Sequence, residues 1–319
     1  MFIIALVMNI DQVLLNAIEE ASSIVIFTHH FPDGDCLGSM NGLKKILKAN
    51  YPDKRVYGVA ESSKKWEPFF EKADEASDEI LASSLAIVVD HNSLDRCCDP
   101  RVATMPHGIR FDHHIGGKRP YPYPALCEEN ACSASEVILQ WCLRVGLTIP
   151  QEAVQDFYIA FCDDCRQYTK GNAPKQLQEI DDLMLNKGAD KGDALYAVYF
   201  KTVESEMYEN KVREKRIVDH GIAYALMTVE DYESLGVTYE EAGVKSPELG
   251  IGCDADVLLL FTCRKSEIRL SARSKGDFSV EELCSCFGGG GHKQAAGAIL
   301  PIGFDINLIV AKAKEMKGL

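Results

Sequence analysis

The chain has 319 residues, 46% hydrophobic and 26% charged, which is ample material for a core and excludes an intrinsically disordered protein. Its formal net charge of −14, from 34 basic and 48 acidic residues, excludes a protein that coats long nucleic acid through a broad basic surface. A small phosphorylated ligand is not excluded, because metal ions neutralise phosphate locally even in an acidic protein.

Length suggests two domains. The opening stretch MFIIALV is apolar but lacks the basic leader, long apolar core and small-residue cleavage site of an export signal. No run approaches the roughly 20 apolar residues that span a bilayer, so a cytoplasmic protein with no membrane partner is expected. The 12 cysteines are scattered and are expected to be reduced thiols, mostly small buried hydrophobes. Cys162 and Cys165 form a C-x-x-C, but Cys284 and Cys286 are a poor second pair for structural zinc.

Ile24 to Thr28 is a β-favouring run that leads into His29, His30, Asp33 and Asp35, with Gly34 able to turn the backbone so that both carboxylates face one centre. Alone, Pro-Asp-Gly-Asp is also an ordinary turn. The device recurs: Ala86 to Asp90 is a short strand ending in a carboxylate, and Ile109 to His114 ends in Asp112, His113 and His114. In open α/β sheets ligands sit beyond the carboxyl ends of the strands, where such clusters converge. Between these runs, Cys36 to Ala49 has helical spacing, Arg55 to Ala60 reads as a strand, and Lys64 to Ile80 as surface helix or loop. Ser133 to Glu136 is a capping box, and a helix from about Gln151 to Cys162 delivers Asp163 and Asp164 at its end.

Asn172 to Lys187 reads as an amphipathic helix, and Glu204 to Arg216 as a solvated connecting helix. Strand patterns return at Ile222 to Val229, Asp256 to Thr262 and Glu267 to Ser274. Arg264 and Lys265 are expected on a charged strand edge. Gly288 to Gly291 before His292 lets the backbone approach an anion, and Lys293 to Ala298 can start a helix.

The elements THHFPDGD, VVDHNSLDR, FDHH and FCDDCRQYTKGN, in that order, followed by FGGGGHKQAAG, resemble the DHH phosphoesterase family with its DHH-associated C-terminal domain, in the nanoRNase and pAp phosphatase branch. The resemblance covers nearly the whole chain. It implies an α/β protein with an N-terminal parallel-sheet domain and flanking helices over 1–188, a helical linker over 189–216 and a smaller α/β substrate-binding domain over 217–319. It also implies two divalent metal ions, manganese, with His29 and Asp33 on one, Asp35, His113 and Asp164 on the other, and Asp90 bridging them. His114 would contact phosphate or handle a proton, with Asp112 orienting a histidine. Arg273, Gly289, Gly290 and His292 would bind substrate.

Two departures from the family pattern stand out. Arg166 occupies a glycine position in the fourth motif, which otherwise keeps Asp164, Tyr168 and Asn172 and makes Asp163 a rival ligand; and His30 lies beside His29. The implied activity is hydrolysis of phosphoester bonds in very short oligoribonucleotides or 3′-phosphoadenosine 5′-phosphate (pAp), with a metal-activated water attacking a phosphate held between the two domains. Alternatives are a cyclic or linear dinucleotide phosphodiesterase, a pyrophosphatase or exopolyphosphatase, and a weakly catalytic nucleotide-binding sensor. The partner would be a short nucleotide, and a homodimer is admissible.

Overall fold

The computed structural model describes residues 9–165 and 174–319 and divides into two compact units, Met1–Phe200 and Lys201–Leu319. Arg166, Tyr168 and Asn172, on which the departure in the fourth motif turns, lie outside the described residues.

The first unit runs α1 (Ile10–Glu20), β1 (Ser23–Phe27), α2 (Gly34–Asn50), β2 (Arg55–Val59), α3 (Asp78–Ala82), β3 (Leu85–Val89), β4 (Gly108–Asp112), β5 (Ala125–Cys127), α4 (Ala134–Val145), α5 (Gln151–Cys165), α6 (Pro174–Asn186) and α7 (Lys191–Tyr199). Its five strands pair in parallel in the order β2-β1-β3-β4-β5. Strands β1 and β3 are continuous apolar runs because both faces of the sheet are covered. Ile24, Ile26, Ile87 and Val89 share a core with residues of α2, α4 and α5, while Val25, Phe27, Ala86 and Val88 pack with Leu81, Val102 and Met105 on the other face. The chain leaves β1 for β2 on one side and returns to β3 on the other, so a crevice opens at the carboxyl ends of β1 and β3.

Helices α2 and α5 meet through a glycine stripe. A Cβ on Gly38 would lie 2.5 Å from the Asp156 carbonyl oxygen, one on Gly42 2.4 Å from the Phe157 ring, and one on Gly34 2.8 Å from the Asp163 side chain. Gly38 and Gly42, inside the helix, weaken it by about 1 kcal/mol each relative to alanine, so close packing is what they supply. The contact sets the amino end of α2, with Asp33 and Asp35, against the carboxyl end of α5, with Asp163 and Asp164.

The second unit runs α8 (Val203–Glu214), β6 (Ile217–Asp219), β7 (Ile222–Met227), α9 (Val229–Glu233), α10 (Tyr239–Gly243), β8 (Val257–Cys263), β9 (Glu267–Ser274), α11 (Val280–Ser285), β10 (Gly290–His292), β11 (Ala295–Pro301) and α12 (Asn307–Met316). Its mixed six-stranded sheet has the order β10-β11-β9-β8-β7-β6, with β7 and β8 parallel. Leu259, Phe261 and Leu270 pack with Leu283 of α11 and Ile309 of α12, and Ala225, Leu258 and Leu260 with Tyr208 and Val212 of α8. Of the segment expected as a helical linker, α7 lies in the first unit and α8 in the second. The helix expected from Lys293 is instead strand β11, paired antiparallel with β9 along Arg273 to Glu267. Ala296, Ala298 and Leu300 alternate into the core, and that period of two, reinforced by the ladder, outweighs the weak local preference of Ala-Ala-Gly-Ala.

Among the described residues no helix is long and apolar enough to cross a membrane. No disulfide joins the cysteines among the described residues.

Candidate metal centre

Strand ends and helix ends deliver the polar cluster. His29 follows β1, and its Nδ1 lies 2.8 Å from the His30 carbonyl oxygen. That position fixes Nδ1 as a donor and leaves Nε2 facing Asp90 Oδ2 at 3.4 Å and Asp33 Oδ1 at 3.6 Å. His113, just past β4, is held the same way by the Ala131 carbonyl at 3.2 Å. Its Nε2 faces Asp90 Oδ1 at 3.4 Å, Asp164 Oδ2 at 3.4 Å and Asp35 Oδ2 at 3.8 Å. Backbone carbonyls that fix the tautomer and aim the other nitrogen are the usual support of a metal-binding histidine.

Asp90 is the first residue past β3 and has a φ of +61°, a left-handed conformation that costs non-glycine residues free energy, though aspartate less than most. Such strain persists where the surroundings over-determine it, and functional sites are where it collects. The side chain is buried, and its Oδ1 has no hydrogen-bond partner among the described residues.

The acids of α2 have other duties as well. Asp33 caps the helix, its Oδ1 accepting from the Cys36 amide at 3.1 Å. Asp35 accepts from the Ala134 and Ser135 amides at 2.6 and 3.1 Å, so the positive end of α4 bears on it. At the end of α5 the two neighbours part: Asp163 Oδ2 accepts from the Gly34 amide at 2.9 Å, while Asp164 turns to His113. The two adjacent histidines part too, for His30 Nδ1 lies 2.6 Å from Glu61 Oε1 rather than in the cluster.

Asp112 is fully buried and accepts from Arg110 and from the His113 and His114 amides. It also takes the His114 Nδ1 proton at 2.9 Å. This holds the partly exposed His114 ring with Nε2 left open.

The electrostatics are those of a crowded anionic pocket. Burial, then the charges of Asp90 and Asp164, push the Asp35 carboxyl well above its usual range. Burial opposes a charged His113, yet the carboxylates of Asp90, Asp35 and Asp164 raise it to about 10. His29 is raised further against the same burial, by Asp33 and Asp90. Asp90 is held well below the usual carboxylate range despite burial, through its contacts with His113 and His29.

Among the described residues, ligand atoms within 4.8 Å of one another form three groups: His29, Cys36 and Asp90; Asp90, His113 and His114; and Asp35, His113 and Asp164. A buried carboxylate oxygen without a hydrogen-bond partner among the described residues, faced by imidazoles, fits a divalent cation of the manganese or magnesium kind.

Sequence reasoning missed several neighbours. Buried Cys36 accepts from the His29 amide at 3.3 Å, and burial pushes its thiol up to about 12, so it packs as a thiol. Buried His91 donates from Nδ1 to the Val89 carbonyl and accepts from the Tyr121 hydroxyl, both at 2.8 Å. Burial holds His91 down at about 4, a neutral brace behind His29.

The substrate-binding candidates lie in the second unit. Arg273 and His292 both register with Ala295 of β11, one from β9 and one from β10, so they share a sheet face across a small residue. Gly289 donates its amide to the Cys284 carbonyl at 2.9 Å, and a Cβ there would lie 2.2 Å from the Gly297 oxygen. Chain packing therefore already requires that glycine. Gly290 lines, with Gly288, Arg269 and Ile299, a cleft of about 370 Å³.

Residues 23–161 match the DHH family, N-terminal domain. The bifunctional oligoribonuclease and PAP phosphatase NrnA of Mycoplasma pneumoniae is 25% identical, covering 94% of this chain and 94% of that protein. Its namesake in Mycoplasma genitalium is 27% identical over 90% of this chain and 91% of that protein. A cyclic-di-AMP phosphodiesterase GdpP from Geobacillus thermodenitrificans is 24% identical, covering 91% of this chain but 46% of that protein. Among solved structures, an exopolyphosphatase-related protein from Bacteroides fragilis superposes with a TM-score of 0.76 at 21% identity, covering 96% of this chain and 95% of that one. RecJ from Thermus thermophilus in complex with Mn2+ gives 0.54 at 16% identity, over 97% of this chain and 53% of that one. At these identities the structural likeness speaks for the fold.

Proposed function

From the premise that residues 23–161 are a DHH-family N-terminal domain, we propose that this chain is a metal-dependent phosphoesterase acting on very short oligoribonucleotides and on pAp. The observation that carries the reading is the convergence of His29 and His113 on Asp90 and of Asp35 and Asp164 on His113, with Asp90 Oδ1 buried and without a hydrogen-bond partner among the described residues. The names of the Mycoplasma relatives, similar over most of their length, support the substrate class.

His29 and Asp33 would hold one divalent ion, Asp35, His113 and Asp164 a second, and Asp90 both, with manganese suited to the oxygen and imidazole donors. Bound there, the ions would supply charge stabilisation and water activation. His114, its Nδ1 proton committed to Asp112, presents Nε2 to a phosphate oxygen or a proton in transit. Arg273 and His292 grip the nucleotide from their shared face, with Gly289 and Gly290 shaping the adjoining cleft.

The likeness to GdpP favours a second reading, a cyclic or linear dinucleotide phosphodiesterase. A manganese-supplemented panel of pAp, linear diadenylate, cyclic diadenylate, short RNA and pyrophosphate decides between them. The highest kcat/KM is expected on pAp and linear diadenylate. Preference for the cyclic substrate would select the second reading, and binding without hydrolysis would make the chain a sensor.

A further inference from the structure

Phe31 lies two residues from His29 and two from Asp33, and the residue is 60% exposed. A single exposed aromatic is ordinary on most surfaces, but this one is held at a φ of +54°, a left-handed conformation that a bulky side chain avoids. Glu61 enforces it. One carboxylate oxygen accepts from the Phe31 amide at 2.7 Å and the other lies 2.6 Å from His30 Nδ1, so a side chain from beyond β2 clamps both residues of the loop. The His30 ring stands 6.1 Å from the Phe31 ring, tilted by 40°. Core burial does not explain the conformation, since the neighbouring Pro32 is buried and Phe31 is not.

We propose that Phe31 is a stacking platform for the base of the nucleotide whose phosphate lies at the metal centre, and so a specificity-determining residue. The inference rests on the nucleotide-hydrolase reading above. Its Cα lies within about 7 Å of those of His29 and Asp33, two peptide units away in each direction. A flat apolar face fixed on a clamped loop suits a base, because every base offers a π-face and stacking tolerates sequence. The Glu61 carboxylate on the Phe31 amide disfavours a further phosphate there, which leaves the uncharged base as the part of the substrate that fits.

The test compares adenosine 5′-monophosphate with ribose 5-phosphate, which differ only in the base, by calorimetry with manganese present. Wild type, Phe31→Asn and Phe31→Trp are measured. Asparagine accepts the left-handed conformation, so the loop keeps its shape while the ring is lost. Phe31→Asn should weaken the adenosine nucleotide about tenfold, within the range for one stacked base, and leave ribose 5-phosphate unchanged. Phe31→Trp should keep the affinity and add to the 2 native tryptophans, both buried, a fluorescence that the nucleotide quenches and ribose 5-phosphate does not. Unchanged nucleotide affinity in Phe31→Asn, equal weakening of both ligands, or no nucleotide binding by wild type would each overturn the proposal. If the base-dependent pattern is found while no nucleotide is hydrolysed, the stacking site stands and the hydrolase reading falls.

Discussion

Two features of Asp90 destabilise the folded chain on their own: a left-handed backbone and a buried oxygen without a hydrogen-bond partner among the described residues. Nearby, burial and mutual repulsion raise Asp35, and the carboxylates raise His113 to about 10. A bound cation offsets all of these, and it must displace the imidazole protons to do so. Manganese binding should therefore release more than one proton per chain at pH 7, and affinity should rise with pH. Calorimetry in buffers of different ionisation enthalpy measures this, and pH-independent binding without proton release would count against it. In the metal-free protein, the stability contributed by charged His113 is complete below its unfolded value near 6.5 and is lost as pH rises through about 10. Asp164→Ala should reduce turnover far more than Asp163→Ala, because Asp164 faces His113 whereas Asp163 holds the Gly34 amide. The reverse order in steady-state assays would exchange their roles.

At the scale of elements, α2 and α5 set the spacing of the acids. Gly38→Ala places a methyl group against the Asp156 carbonyl and Ala160, an overpacking that costs about 1–3 kcal/mol. It should also weaken manganese binding by parting Asp35 from Asp164. Urea titrations with and without manganese would show both effects, and an alanine variant as stable as wild type would refute the close approach. The clustering of His29, Asp90 and His113 was legible in the sequence because each follows a short buried strand, and strand ends converge in a parallel sheet. Glu61 and Cys36 were not, since their roles depend on where chain folding returns them, 30 residues from Phe31 in the case of Glu61. The β11 strand was missed for a different reason. Its alternation of Ala296, Ala298 and Leu300 is faint in such small residues, and only pairing with β9 makes it decisive.

Across the whole molecule, the acid and imidazole cluster lies in the first unit and Arg273 and His292 in the second, and the proposal assigns chemistry to the one and grip to the other. Arg273→Ala and His292→Ala should raise KM for linear diadenylate several-fold while sparing metal content and hydrolysis of bis-p-nitrophenyl phosphate, a minimal diester with little to grip. Equal losses on both substrates would place these residues in support of the metal centre instead. The central claim, phosphoester hydrolysis that depends on cations gathered around Asp90, is tested most directly by adding manganese back to the metal-free protein and following cleavage of diadenylate in wild type and Asp90→Ala. Wild type should be inert without the ion and turn over saturably with it, and folded Asp90→Ala should remain inactive at every concentration. Cleavage that persists without metal, or a metal-loaded Asp90→Ala protein that cleaves like wild type, would contradict the account.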